Sequence, residues 1–216
     1  MVYLLSWQSE LPVLPENWKQ LLPQQRIEKA LSYKQEKDRV ASVLAFLLLR
    51  YALSEEYAIT AMPQIETDAN GKPYDVNHAY HFNLSHCDIA VACALDTAPV
   101  GVDVQDFRFV KENVIKKVCS PQEQRLLQQA DCPEALFAAF WASKEAYGKY
   151  TGQGIGYDLK STCFCEKDVF PCVFENGKSM IRTQLKDCFA LSVCARQQLS
   201  ELQVTEAEWN RFLQSL

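Results

Sequence analysis

The stretch His81-Phe82-Asn83-Leu84-Ser85-His86-Cys87-Asp88-Ile89-Ala90-Val91-Ala92-Cys93-Ala94-Leu95 decides how the chain is read. His81–Ser85 and Ile89–Leu95 are strand-like runs, and the polar corner His86-Cys87-Asp88 splits them, so the pattern is that of a hairpin. A shift of 101 residues lays Leu84, Cys87, Cys93 and Ala94 over Leu185, Cys188, Cys194 and Ala195. The same shift carries a helical pattern ending near Arg50 onto one ending near Thr151. Two readings stand side by side here: a chance likeness of two hairpins, or a duplicated α+β unit. The second gives an α+β pseudo-dimer of two similar halves, residues 1–98 and 99–216, joined near Asp96–Pro99. The ligand cleft would then lie between the halves.

Around that hairpin the periodicity is clear. Glu36–Leu53 carries Val40, Val43, Leu44, Leu47 and Tyr51 at helical spacing, after a helical stretch from Pro23 to Tyr33. Asn70-Gly71-Lys72-Pro73 is the strongest turn signal. Val100–Val104 reads as a short strand, and Ser120-Pro121-Gln122-Glu123 as a helix start with a capping box. A longer helix is expected over Pro133–Lys149, stopping at Thr151-Gly152-Gln153-Gly154. Thr162–Phe164, Ser179–Leu185 and Phe189–Ala195 read as strands before a last amphipathic piece.

Composition narrows the function classes. The chain has 216 residues, 48% hydrophobic and 11% aromatic, which describes a packed core and excludes a disordered chain. The formal charge of −5 argues against nucleic acid as the main partner. The longest uncharged apolar run, Val43–Leu49, is far short of the roughly 20 residues that cross a bilayer, so no membrane association is expected. The N-terminal residues have no basic head or small-residue cleavage site, so no leader is expected. Nine cysteines without a Cys-x-x-Cys pair read as reduced thiols of a cytoplasmic protein, and three histidines without paired spacing give no zinc site.

Three segments carry groups suited to chemistry. In Gly101-Val102-Asp103-Val104-Gln105, strand alternation puts Asp103 and Gln105 on one face, where two oxygens can hold a hard cation such as Mg²⁺. In the helix through Trp141-Ala142-Ser143-Lys144-Glu145-Ala146-Tyr147-Gly148-Lys149, Lys144 falls on the apolar face and Glu145 at its edge, with Lys149 one turn on. A snorkelling lysine and a surface Glu–Lys pair are the bland alternative. The glycines of Gly152-Gln153-Gly154-Ile155-Gly156 let backbone approach a ligand. Ser85 and His86, at the end of a strand, can donate to a phosphate. A serine nucleophile with His86 as base is disfavoured, because adjacent strand residues face opposite sides.

Together these motifs resemble the 4′-phosphopantetheinyl transferases of the surfactin-synthetase-activating type. Gly71-Lys72-Pro73, Phe82-Asn83-Leu84-Ser85-His86, Gly101-Val102-Asp103-Val104-Gln105 and Trp141-Ala142-Ser143-Lys144-Glu145-Ala146 occur in the family's order, and the similarity spans roughly Pro23 to Ala195. The resemblance implies a pseudo-dimeric α+β fold. It implies a Mg²⁺-dependent transfer of the phosphopantetheine arm of coenzyme A to a serine of an apo acyl or peptidyl carrier protein, releasing adenosine 3′,5′-bisphosphate. By that resemblance Asp103 and Glu145 are metal-binding carboxylates, with Gln105 beside them as a third metal ligand. Lys149 contacts the pyrophosphate and helps deprotonate the serine. Lys72 and Pro73 belong to the loop beside the adenine, and Ser85 and His86 to the 3′-phosphate site. Lys144 is counted with the coenzyme A-binding residues. Residues 1–98 would be the adenine and 3′-phosphate side, and 99–216 the metal, pyrophosphate and carrier side. The base for the serine is either Glu145 itself or water on the metal.

Two positions depart from the family pattern. Gln105 stands where a glutamate is usual, offering an oxygen without charge. A phosphate-contacting arginine of the family falls at Ala41, leaving Arg39 (or Lys37) to substitute, although a two-residue offset turns a helical side chain by about 200°. These departures keep a second reading open, a catalytically weak module that binds coenzyme A or a carrier. The expected partner is an acidic, transiently docked carrier protein that meets residues 109–118, where Lys116 and Lys117 follow apolar residues. The protein itself is expected to be a monomer.

Overall fold

The computed structural model describes residues 1–8, 10–108, 110–153, 158–166 and 169–216. Phe109 and the Gly154-Ile155-Gly156 part of the glycine-rich stretch lie outside the described residues. In chain order the elements are β1 (Val2–Ser6), a 3-10 turn (Trp18–Leu21), α1 (Gln24–Ser32), α2 (Glu36–Tyr57), β2 (Ile65–Thr67), β3 (Pro73–Asp75), β4 (His81–His86), β5 (Ala90–Asp96) and β6 (Gly101–Asp106). They continue with α3 (Glu112–Val118), α4 (Pro121–Gln129), α5 (Pro133–Thr151), β7 (Val173–Asn176), β8 (Ser179–Leu185), β9 (Phe189–Ala195), β10 (Glu201–Gln203) and α6 (Glu206–Ser215). The fold class is α+β. No described helix is long and apolar enough to cross a membrane.

The chain divides into two compact units. The first comprises Met1–Glu66, Pro73–Thr97 and Leu199–Leu216, so the C-terminal residues grouped with the second half in the sequence reading return to the first unit. Its sheet has the order β10-β1-β5-β4, with β1 parallel to β10 and antiparallel to β5, and β5 antiparallel to β4. Helix α2 packs on β5 and β4. Every residue from Val40 to Leu49 is buried, because this stretch is apolar on all sides and forms the centre of the core rather than an amphipathic cover. Strand β1 escapes the sequence reading. Its first four residues are all buried, so it shows no alternation of apolar and polar positions.

The second unit comprises Thr67–Lys72 and Ala98–Gln198. Its antiparallel sheet has the order β6-β9-β8-β7, and α5 packs on β6, β9 and β8. Beneath α5 the hydroxyls of Ser143, Thr183 and Ser192 link helix and sheet through hydrogen bonds of 2.8 Å each. Taken separately, each unit repeats one topology: a leading strand (β1 or β6), a long helix (α2 or α5), then a hairpin (β4–β5 or β8–β9). In both, the leading strand pairs antiparallel with the hairpin's second strand.

The capping box at Ser120 is present in full, Ser120 Oγ accepting from the Glu123 amide while the Glu123 carboxylate accepts from the Ser120 amide. The strand expected at Thr162–Phe164 does not form. The Thr162 carbonyl accepts from Lys144 Nζ and the Phe164 amide donates to Glu123 Oε1, so side chains take backbone groups that a neighbouring strand would otherwise pair.

Candidate functional site

In the second unit the site is built where α5 crosses β6. Gly101 allows the crossing: a Cβ placed there would lie 2.1 Å from the carbonyl oxygen of Ala146 and 2.6 Å from the amide nitrogen of Tyr150. Helix backbone therefore lies directly against strand backbone. That approach brings Lys149 over the strand, where its Nζ donates to Asp103 Oδ1 at 2.6 Å and to the Val102 carbonyl at 3.1 Å. Asp103 is buried and Lys149 partly exposed. Glu145, one turn before Lys149 on α5, joins the same electrostatic group. Burial raises its carboxyl pKa above the ordinary value, the charge of Asp103 raises it further, and Lys149 opposes both.

Gln105, two residues beyond Asp103, is partly exposed. Its side-chain nitrogen donates to the Asp106 carbonyl at 3.2 Å and to Asp106 Oδ1 at 3.0 Å, while Arg108 pairs with the same carboxylate. With that nitrogen engaged, the amide oxygen is the end a cation would meet. Two carboxylates and an amide oxygen beside an ammonium make a donor set for a hard cation and the anion it carries.

The first unit positions the remaining candidates. Ser85 is buried on β4, opposite Ala92, and the His86 ring meets Tyr33 edge-on at 5.9 Å. Lys37 Nζ is paired with Asp88 Oδ2 at 2.7 Å. Ala41 is buried in α2, whereas Arg39 is partly exposed, with its Nε buried and lacking a hydrogen-bond partner among the described residues. Pro73 opens β3.

Residues 99–212, more than half of the chain and including β6 and α5, match the model of the 4′-phosphopantetheinyl transferase superfamily. The chain belongs to that superfamily. Among its relatives, the 4′-phosphopantetheinyl transferase psf-1 of Bacillus pumilus is 39% identical over 129 residues, 57% of this chain and 55% of the relative. The 4′-phosphopantetheinyl transferase Sfp of Bacillus subtilis strain 168 is 28% identical over 151 residues, covering 68% of this chain and 67% of its own. The 4′-phosphopantetheinyl transferase gsp of Aneurinibacillus migulanus is 26% identical over 196 residues, covering 85% and 82%. The match to psf-1 thus spans little more than half of that relative's length.

Within this superfamily member, two lysines from the sequence motifs are engaged by protein groups. Lys144, counted with the coenzyme A-binding residues from the sequence, is fully enclosed. Its Nζ pairs with Glu123 Oε2 at 2.9 Å and donates to the carbonyls of Leu159 (2.6 Å) and Thr162. The reason is physical: a lysine on the apolar face of α5 meets the core, and the interior retains its charge only with a paired, hydrogen-bonded carboxylate. Lys72 Nζ donates to the Lys149 carbonyl at 2.5 Å and the Val100 carbonyl at 3.4 Å, while Asn70 Nδ2 donates to the Gly152 carbonyl at 2.9 Å. The Asn70-Gly71-Lys72 turn therefore caps the C-terminal end of α5 and helps fix Lys149. Burial lowers the Lys72 pKa, partly offset by Asp68.

The sequence reading missed two contributors. Glu123 was legible as a cap, but its second role as counter-ion of Lys144 depends on a partner 21 residues away. Gly101 was legible as part of a motif, whereas its role as the contact point for α5 needed the helix in place.

Proposed function

We propose that the protein transfers the 4′-phosphopantetheine arm of coenzyme A to a serine of an apo acyl or peptidyl carrier protein, releasing adenosine 3′,5′-bisphosphate, with Mg²⁺ as cofactor. The observation that carries this reading is the Asp103–Lys149 pair with Glu145 in its field. A buried Asp103 beside a Glu145 whose pKa is raised by burial and by the Asp103 charge, with one lysine between them, fits a divalent cation. Asp103, Glu145 and the amide oxygen of Gln105 would hold Mg²⁺, which when bound neutralises the diphosphate.

Lys149 Nζ, 2.6 Å from Asp103 Oδ1, would present an N–H to a phosphate oxygen. The serine oxygen attacks the β-phosphorus while the bond to the α-phosphate oxygen breaks. The serine proton would pass to Glu145 or to water held by the cation. In the first unit, Ser85, His86 and Arg39 would serve the 3′-phosphate, and Pro73 the loop beside the adenine. The repeated strand–helix–hairpin topology supports the duplicated-half reading. Helix α3 would receive the acidic carrier: Lys117 is exposed on it, and Lys116 pairs at 2.6 Å with Glu112 within the same exposed helix. A cytoplasmic monomer completes the proposal.

One observation favours a second reading, a coenzyme A- or carrier-binding module of weak activity: Gln105 supplies no charge where the family usually has a glutamate. Incubation with coenzyme A, Mg²⁺ and an apo carrier separates the two. A carrier heavier by one phosphopantetheine arm is the expected outcome, and tight binding with unmodified carrier overturns the transferase. Glu145→Gln should abolish transfer while leaving the fold intact.

A further inference from the structure

The second unit holds a cluster that the transfer chemistry does not use. Sγ of Cys163, Sγ of Cys165 and a carboxylate oxygen of Glu123 lie within 4.8 Å of one another. By type this is a metal-ligand set, but the carboxylate is committed. Its Oε1 accepts from the Phe164 amide at 3.0 Å, and its Oε2 accepts from the Ser120 amide at 2.7 Å and from Lys144 Nζ at 2.9 Å. A cation bound there would sit against the buried ammonium of Lys144, so the chemistry available belongs to the two thiols.

These thiols are placed to react together. Both are partly exposed, whereas Cys93, Cys119 and Cys194 are buried. Their sulfurs lie within 4.8 Å of each other although no strand forms there. The Cys165 thiol is hydrogen-bonded to Cys163, and the Ser120 hydroxyl donates to Cys163 Sγ at 3.3 Å. The Cys163 thiol in turn donates to Gln122 Oε1 at 3.6 Å, so the two sulfurs share one polar cluster, and burial raises the pKa of Cys165 within it.

We propose that Cys163 and Cys165 form an oxidisable dithiol, a modification site that takes small-molecule disulfides by thiol–disulfide exchange. The Cys163 thiolate attacks one sulfur of R–S–S–R, giving Cys163–S–S–R and releasing RS⁻, which takes up the proton lost from Cys163. Cys165, giving its proton to water or buffer, then attacks Cys163 Sγ and displaces the second RS⁻, which is protonated in turn. Two cysteine thiols are oxidised to one disulfide, and R–S–S–R is reduced to two R–SH. The ring closes around Phe164, whose amide and neighbouring Thr162 carbonyl lock the Glu123–Lys144 pair. The proposal does not depend on the transferase reading.

The test uses the full chain and oxidised glutathione. Thiols counted in denaturant should fall from the nine of the sequence to seven. The intact mass should drop by two hydrogens, the peptide map should join Cys163 to Cys165, and dithiothreitol should restore all nine. Cys165→Ser should arrest at one glutathione on Cys163. If that variant fails to fold, the peptide map of the unmodified chain alone decides. A count that stays at nine overturns the proposal, as does glutathione on the exposed Cys132, Cys172 or Cys188 with Cys163 and Cys165 still reduced. Zinc retained through chelation and released only when these two thiols are blocked overturns it too.

Discussion

Nζ of Lys149 on α5 lies 2.6 Å from Oδ1 of Asp103 on β6, a pair spanning 46 residues of sequence. One ammonium thus serves two carboxylates, Asp103 by contact and Glu145 through its field. Lys149→Met should lower transfer to a carrier serine by about 100-fold or more, the scale of losing a donor aimed at developing charge. It should also move the acidic limb of the pH–rate profile upward, because the group that opposes the Glu145 shift is gone. An unchanged profile would separate Lys149 from Glu145.

Glu145 also links stability to pH. Its folded-state pKa is raised above the reference value of 4.5, so the folded chain binds more protons than the unfolded one between that value and the raised one. The stability associated with protonated Glu145 is fully present below the unfolded pKa and is lost as pH rises through the folded pKa. Urea midpoints measured without metal should therefore fall across this window less in Glu145→Gln than in the parent chain. Mg²⁺ should restore the parent midpoint above the window and leave Glu145→Gln nearly unmoved.

Gly101→Ala places a methyl group against helix backbone, which cannot rotate away. The cost should be about 1–3 kcal/mol or more in denaturant unfolding. The surviving folded protein should show weakened Mg²⁺ binding, since displacing α5 separates Glu145 and Lys149 from Asp103. Full stability in this variant would contradict the close approach.

Lys144 provides a contrast with Lys149. Removing one member of an enclosed, hydrogen-bonded ion pair leaves a buried charge, so Lys144→Ala should destabilise by about 3–5 kcal/mol. The double replacement Lys144→Met with Glu123→Leu removes the unpaired charge but leaves the Ser120 and Phe164 amides and the Leu159 and Thr162 carbonyls without these partners, so it should recover only part of that loss. Residual folded Lys144→Ala should bind coenzyme A with an unchanged Kd. A raised Kd with normal stability would return Lys144 to the ligand site.

Gln105→Glu adds a charge beside Asp103 and Asp106. It should be tolerated and should lower the Mg²⁺ concentration needed for half-maximal activity. An identical metal titration would place position 105 away from the cation.

The hairpin strands β4 and β5, helix α2, helix α5 and the Ser120 cap were legible because each has a local signature: an apolar period, a turn, or a cap three residues from its partner. The strand carrying Asp103 and the helix carrying Glu145 were legible as elements for the same reason. Strand β1 was not, because full burial removes the alternation that marks a strand. The role of Lys144 was not, because a lysine on an apolar face reads alike whether it snorkels, binds a phosphate or meets a buried carboxylate. Glu123 decides between these, and its distance along the chain hides it.

By themselves, the residues of this chain determined its long helices and hairpin strands, that it belongs to the phosphopantetheinyl transferase superfamily, and which acidic and basic groups its motifs present. Tertiary structure alone decided which lysine serves which carboxylate. Lys144 and Lys149 sit five residues apart on one helix. The contact of α5 with β6 at Gly101 turns one into the core, where its charge must be matched, and the other toward Asp103, where it stays within reach of water.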